Sequence, residues 1–478
     1  MKKTPSLLVS LIPIAILIVL ISLCVHLFGD GVTAGPSQMV LLFAAVVAWA
    51  IGRFAYNVSW EEMEGATLSH LKNSGGAIFI LLSIGALTGS WMNSGVIPSM
   101  IYYGLKGIHP VVFMPLVFLF CSLISLMIGS SWTTIGTFGV ALLGAGEMMG
   151  LPVPWLAGAI ISGSYFGDKM SPLSDTTNLA ASACGIPLYT HIRYMLVNTV
   201  PVYLICLVIY TVAGFCLPIS DNLNIQDQLT ALQSTFTISG WLLLVPLATV
   251  LMVVIKVPPF VTLFLSAIVG TLVAAFAQPQ ICESIAQTVA PDTAYPAFVA
   301  GIRMISGSVS IETGNAILNN LTQTSGMAGM LNTIWLILCV VLLAGVLAAT
   351  GMLDTITRNL VKLMKNAFST VASTLGTCIF FNITLGDQYM AIILPGTMFK
   401  DSYEKQGFAP ELLSRSIEES ATVTSVLVPW NTCAVAQSTV LGVATLTYLP
   451  YCFFNIITPL FSLLAAAVGY KIRKSIKQ

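Results

Sequence analysis

Long apolar runs separated by short polar punctuation dominate the chain. The stretches Leu7–Val25, Met39–Ile51, Ala77–Leu87, Val111–Ile128, Tyr203–Phe215, Trp241–Ile255, Phe260–Phe276, Ile334–Ala349 and Phe453–Val468 carry no charge. Several reach or approach the roughly 20 residues that a helix needs to cross a bilayer. Others are shorter, which predicts broken or re-entrant segments beside plain spans. The runs lack the period-two alternation of barrel strands, and backbone polar groups in lipid must be satisfied internally, so the elements are helices. About 10–13 crossings or hairpins fit the hydrophobic length. The fold class expected is all-α: a polytopic membrane protein of two inverted-topology repeats with broken helices and re-entrant hairpins.

The repeats show as recurring punctuation. At an offset of 257 residues Gly129 falls on Gly386, Ser130 on Asp387, Pro172 on Pro429, Ser174 on Asn431 and Asp175 on Thr432. Upstream, Ile84-Gly-Ala-Leu-Thr88 matches Ala344-Gly-Val-Leu-Ala348 in kind. Positive charge then orients the halves, because cytoplasmic loops are enriched in Lys and Arg. Arg53 and Lys72 precede the first unit, whereas Gly314–Asn332 before the second carries neither residue type. Further on, Lys106 faces Arg358, Lys362 and Lys365, and the Lys- and Arg-free Ala145–Trp155 faces Lys400, Lys405 and Arg415. The bias reverses at each place, as inverted repeats require. The division expected is a first transmembrane helix over 1–36, a first repeat over 37–216, a polar connector with linking transmembrane helices over 217–300, a second repeat over 301–470 and a basic tail over 471–478. Asp221, Asn222, Asn224 and Asp227 mark the connector as aqueous. Lys2, Lys3 and the tail Lys471–Lys477 place both termini in the cytoplasm, and the long first run without a cleavage site reads as a retained helix.

Composition narrows the classes of function. Hydrophobic residues make up 56% and charged residues 8%, at zero net charge, so the solvent is membrane lipid and no basic arm invites nucleic acid. Ten scattered cysteines form no C-x-x-C pair, and four histidines lack metal spacing. No G-x-x-x-x-G-K-[ST] loop implies ATP, and no nucleophile motif implies hydrolysis. Neither an enzyme nor a cofactor is expected.

Against that background the segment Gly163–Asn178 stands out, with Asp168, Lys169, Ser171, Ser174, Asp175, Thr176, Thr177 and Asn178 close together. Carboxylates at bilayer depth cost several kcal/mol and mark function by default. Pro172 interrupts the helix, and the neighbouring hydroxyls and amides supply the oxygen ligands that a hard cation such as sodium takes. A polar kink packed against other helices is the plainer reading. Asp168 either pairs with Lys169 or carries a proton, since a desolvated carboxyl binds one near neutral pH. In the second half Asp387, Asn431 and Thr432 hold the corresponding places after Gly386 and Pro429. Glu418 and Glu419 point to different helix faces, so at most one lines a site; a solvated helix start after Arg415 is the alternative.

Tyr165-Phe-Gly-Asp-Lys-Met-Ser-Pro-Leu-Ser-Asp-Thr-Thr-Asn178, together with Gly89-Ser-Trp-Met-Asn-Ser-Gly95, Gly129-Ser-Ser-Trp-Thr133 and Ser59-Trp-Glu-Glu-Met63, resembles the NhaC-type sodium/proton antiporter family, which includes sodium-lactate/malate-proton exchangers. The resemblance runs from about Ser59 to Thr447. It implies secondary active exchange across the bacterial inner membrane, inverted repeats with hairpins, and commonly a homodimer. It also implies hairpins at Asn93-Ser-Gly-Val-Ile97, with Asn93 and Gly95, and at Thr350–Asp354. The function expected is sodium/proton antiport by competing ion binding at intramembrane carboxylates. Sodium is expected on Asp175, Ser174, Thr176 and Asn178, with help from Asn431, Thr432 and Asp387. Coupled exchange of a small carboxylate is the alternative.

Overall fold

The computed structural model describes residues 4–217 and 225–474. The expectations drawn from Lys2, Lys3, Asp221, Asn222, Asn224 and Lys477 lie outside those residues. Helix dominates, and the only β-pairs among the described residues are two isolated bridges, Val309 with Thr324 and Phe408 with Lys474.

The first half opens with α1 (Leu7–Phe28), α2 (Pro36–Tyr56) and α3 (Trp60–Asn93). Ser59 and Glu62 form a reciprocal capping box at the start of α3: the Ser59 hydroxyl accepts from Glu62 N at 3.2 Å and Glu62 Oε2 accepts from Ser59 N at 3.1 Å. The helix then runs for 34 residues, so the polar stretch Glu61–Asn73 is its extension beyond the apolar part and not a loop. At Gly95, φ +81°, the chain turns into α4 (Val96–Gly107), which packs on later elements instead of running back along α3. The hairpin expected at Asn93–Ile97 is therefore a helix-to-helix turn.

The true hairpin comes next. α5 (Pro110–Ile128) ends at Gly129, and the chain returns through α6 (Ser131–Thr134), one π-helical stretch (Ile135–Gly139) and α7 (Val140–Met148). α8 (Val153–Met170) then breaks over residues 171–174 and resumes as α9 (Asp175–Cys184), followed by α10 (Leu188–Cys216). The hairpin tip touches that break: at φ +76°, a Cβ on Gly129 would lie 2.7 Å from the Leu173 carbonyl carbon, so only glycine fits.

The linking region holds α11 (Ile225–Thr235), α12 (Leu244–Val254), α13 (Pro259–Ala277), α14 (Pro279–Val289), α15 (Pro296–Ser306) and α16 (Ala316–Thr322). α11 bends by 88° into the α12 segment, whose turn into α13 carries Lys256.

The second half repeats the plan. α17 (Leu331–Ala349) turns at Gly351, φ +70°, into α18 (Met352–Val361), so Thr350–Asp354 is again a helix-to-helix turn. α19 (Ala367–Thr384) and α20 (Gln388–Met398) form the second hairpin around Gly386, φ +56°. After α21 (Lys400–Lys405), α22 (Pro410–Ile417) passes through a π-helical turn (Glu418–Thr422) and α23 (Val423–Ser425) into a break at 426–431, and α24 (Thr432–Leu441) resumes. Tip again meets break, with Thr432 N donating to the Gly386 carbonyl at 2.8 Å. The chain closes with α25 (Thr445–Tyr448) and α26 (Phe453–Ala467).

The halves are inverted. The equivalent helices α3 and α17 run antiparallel, with Gly85 against Gly326 and Met330, and Thr67 against Gly345. Both described chain ends lie on one end of the bundle: Pro5 approaches Gly351, and Tyr194 Oη donates to the Lys471 carbonyl at 2.7 Å. Eight helices among the described residues are long and apolar enough to cross a membrane, or ten counting two bent pairs. α8–α9 and α22–α23 are outside both numbers: Asp168 and Lys169 dilute the apolar run of α8, α22 has only 8 residues, and α24 enters only as half of the second bent pair.

Candidate functional site

The break between α8 and α9 sets Asp168 facing the first hairpin tip. Ser131 sits at the first position of α6, so its backbone N–H is free of helical bonding and donates to Asp168 Oδ2 at 3.1 Å. The Ser131 hydroxyl donates to the same oxygen at 2.7 Å, and the Ser174 hydroxyl to Oδ1 at 2.6 Å. Thr176 Oγ1 lies 3.0 Å from Ser174 Oγ. Asp168 is 5% exposed and is not paired with Lys169, the neutralised-pair alternative raised by the sequence.

A cavity of about 370 Å³ opens on this carboxyl. Gly129, Ser130 and Thr133 of the hairpin, Pro172, Asp175, Thr176 and Asn178 of the break, Gln388 and Tyr389 of the second hairpin, and Lys256 at the α12–α13 turn line it. Asp175 occupies the first turn of α9 and is exposed to the cavity, with no hydrogen bond on its side chain among the described residues. Asn178 also lines the cavity but spends its amide nitrogen on the break, donating to the Pro172 carbonyl at 3.0 Å and the Ser174 carbonyl at 2.7 Å. Thr177 does the same for the end of α8, donating to the Asp168 and Lys169 carbonyls at 3.2 and 2.9 Å.

The second-half candidates fall elsewhere. Asp387 caps α20, accepting from Met390 N at 3.0 Å. Asn431 caps α24 and donates to Asn382, while Thr432 latches the Gly386 tip through its backbone. None of these three lines the cavity with Asp168. Their oxygens go into joining hairpin to break. Asn93 is further off still, donating to the Gly89 carbonyl at 2.7 Å beside Thr324. At the end of the bundle opposite the termini a recess of about 300 Å³ touches Pro429 and no carboxyl.

What sequence reasoning undervalued is a second cluster of charge. Glu418 and Glu419, read as equally well a solvated helix start, are fully buried, as are Lys169 and Arg415. Arg415 is accordingly no loop charge. Lys169 Nζ lies 3.7 Å from Glu419 Oε1 and donates to Thr199 Oγ1 at 2.9 Å. Arg415 Nε lies 3.8 Å from Glu419 Oε2, which also accepts from Asn198 Nδ2 at 3.0 Å. The Arg415 guanidinium stacks 4.4 Å from the Tyr194 ring centre. Glu418 turns the other way, accepting from Thr422 Oγ1 at 2.9 Å and facing Thr176. The two glutamates thus do point apart, yet both belong to the interior. Among the described residues, Asp168, Asp387, Glu418 and Glu419 are buried against only two buried Lys or Arg side chains, Lys169 and Arg415. Uncompensated charge is costly away from water, so the surplus of carboxyls calls for cations or protons.

Inverted repeats, paired interrupted helices and a cavity ending on a buried carboxyl define a membrane transporter and not an enzyme. The model of the Na+/H+ antiporter family matches residues 163–470. The Na(+)/H(+) antiporter NhaC of Alkalihalophilus pseudofirmus is 35% identical over 439 residues, 92% of this chain and 91% of its own length. The malate-2H(+)/Na(+)-lactate antiporter of Bacillus subtilis is 34% identical, covering 88% and 87%, and the arginine/ornithine antiporter ArcD of Halobacterium salinarum is 34% identical, covering 98% and 94%. The chain belongs to the Na+/H+ antiporter family.

Proposed function

We propose that this protein exchanges sodium for protons across the bacterial cytoplasmic membrane, with Asp168 as the cation-binding carboxylate. The observation that carries the reading is a buried carboxylate ringed by hydroxyls from a hairpin tip and a helix break, at the end of a cavity, with its neighbouring lysine committed to another residue. Asp168, Ser174 and Thr176 offer oxygen ligands of the kind a hard cation takes, and Asp175 at the mouth adds attraction for an arriving cation. The relatives named as sodium/proton antiporters support the choice of ions. The end of the bundle bearing the chain termini also carries Arg358, Lys362, Lys400, Lys405 and Arg473, and by the positive-inside rule faces the cytoplasm.

A second reading has its own observation. The cavity of about 370 Å³ exceeds the needs of one ion, and Lys256 and Gln388 on its wall suit a small carboxylate; a relative is named for malate and lactate. Reconstituted protein in liposomes with an imposed pH gradient separates the two. Sodium alone drives proton movement under the first reading. A flux that needs lactate or malate as well replaces it with the second.

A further inference from the structure

The cavity that ends on Asp168 holds charge of both signs, and the two signs do not meet. Among the described residues its charged lining is Asp168, Asp175 and Lys256. Neither Asp175 nor Lys256 makes a side-chain hydrogen bond or an ion pair among the described residues. Lys256 is held there against its own backbone. The end of α12 is a Schellman turn, in which Val257 N donates to the Met252 carbonyl at 3.0 Å and Lys256 N to the Val253 carbonyl at 2.8 Å. The place that Lys256 fills in such a turn favours glycine, and its φ is +65°. Apart from glycines, only Asn57, Lys256 and Lys471 take positive φ among the described residues. A lysine that strains its own turn while lining a cavity is the kind of outlier that gathers at functional sites.

The rest of the wall has room for an organic ligand. Thr133 Oγ1 is buried with no hydrogen-bond partner, and the Tyr389 hydroxyl has none among the described residues. Ile80, Ile128, Leu173, Val253 and Pro258 supply an apolar side. Charge then decides what kind of molecule fits. With sodium on Asp168, the lining is balanced, because Asp175 and Lys256 cancel. A monocarboxylate added to that state leaves one negative charge in excess, a dicarboxylate two, and an amine one positive charge. A zwitterion leaves none, and enclosed charge is costly unless it is balanced.

We propose that the cavity takes a small apolar α-amino acid together with sodium, its ammonium on Asp175 and its carboxylate on Lys256. This rests on the antiport reading for the sodium at Asp168 and adds an organic cargo to it. Each of the two unpaired charges gains an opposite partner without moving to meet the other. The Thr133 and Tyr389 hydroxyls can donate to the ligand carboxylate, and the apolar side receives the ligand side chain. Sodium alone and sodium with an amino acid are both balanced forms, whereas an amino acid without sodium leaves Asp168 uncompensated. Uptake of the amino acid therefore requires sodium.

The test uses the purified full chain with L-alanine, L-valine, L-leucine and L-methionine, each tried singly in sodium by calorimetry and by uptake into liposomes. At least one should bind, and its uptake should fall at least about tenfold when potassium replaces sodium. For the tightest binder, the analogue lacking the amine and the analogue lacking the carboxylate should each bind at least about tenfold more weakly. For leucine these are 4-methylpentanoate and 3-methylbutylamine. Lys256→Ala should weaken the amino acid by at least about tenfold, while sodium alone binds about two- to threefold more tightly at low ionic strength. A damaged fold would move both in the same direction. Lys256→Gly suits the positive φ, so it should melt no lower than wild type and lose the amino acid equally, which separates the charge from the turn. Wild type that binds sodium and none of the four amino acids overturns the proposal and leaves antiport standing. An amine-free analogue that binds as well as its amino acid, or Lys256→Gly with amino acid affinity within about threefold of wild type, overturns it too. Wild type that binds no sodium overturns the antiport reading and this proposal together.

Discussion

Replacing Asp168 by asparagine removes one charge and almost no volume. Asn Oδ1 can take the place of Asp168 Oδ2, accepting from Ser131 N and Oγ as the carboxylate does at 3.1 and 2.7 Å, and Nδ2 can donate to a Ser174 hydroxyl turned to accept. Every local hydrogen bond survives in some form, so unfolding free energy should change by less than about 1 kcal/mol. Ion binding should not survive. A cation in contact with a carboxylate at roughly 2.5 Å gains about 6–7 kcal/mol at an effective dielectric constant near 20, and desolvation takes back part of it. Loss of one partner of a buried pair typically costs about 3–5 kcal/mol, which is roughly 10²- to 10³-fold or more in sodium affinity. Exposed Asp175 should behave differently: Asp175→Asn removes a screened charge at the mouth and should raise half-saturating sodium about tenfold or less. The assay is sodium-dependent relaxation of an imposed pH gradient in liposomes, with thermal melting run alongside. Asp168→Asn with half-saturating sodium within threefold of wild type would refute the reasoning.

Three further outcomes follow from the same contacts. Gly129→Ala and Gly386→Ala place a Cβ at positive φ, against the Leu173 backbone in one case and 2.5 Å from Val340 Cγ1 in the other; each should cost about 1–3 kcal/mol and lower the melting temperature. Lys169→Met leaves Glu419 buried with Arg415 at 3.8 Å as its remaining cation, and should destabilise by about 3–5 kcal/mol, with partial recovery when Glu419→Gln is added. Lys256→Ala removes a cation from the cavity that ends on Asp168, so half-saturating sodium should fall about two- to threefold at low ionic strength, an effect that fades as salt is raised.

The breaks were readable because their causes are local. Pro172 cannot continue a helix, and Gly129 and Gly386 take positive φ wherever they end one, so their recurrence at a fixed offset marked tip and break in both halves. The same locality misled at Gly95 and Gly351. A positive-φ glycine looks alike in a short turn and in a hairpin tip, and only the packing of α4 and α18 tells them apart. The burial of Asp168 and the exposure of Asp175 were not legible, since which of two carboxyls seven residues apart faces the hairpin depends on the direction in which α8 ends. Burial of Glu418, Glu419 and Arg415 was less legible still. Their compensating Lys169 stands some 250 positions away, and no feature near Ile417 announces it. A clue did exist: Glu418-Glu419 sits between Ile417 and Val423 with no glycine, proline or asparagine to make a solvated turn.

Two copies of one plan, laid head to tail, predict an exchange of shapes between the halves. Let residues 110–184 adopt the shape now held by 367–441, and let the latter take the former's place. The space beside Gly129 would then shut and its mirror beside Gly386 would open toward the far solution. Exchange of roles between the halves is thus the expected alternate form of this molecule.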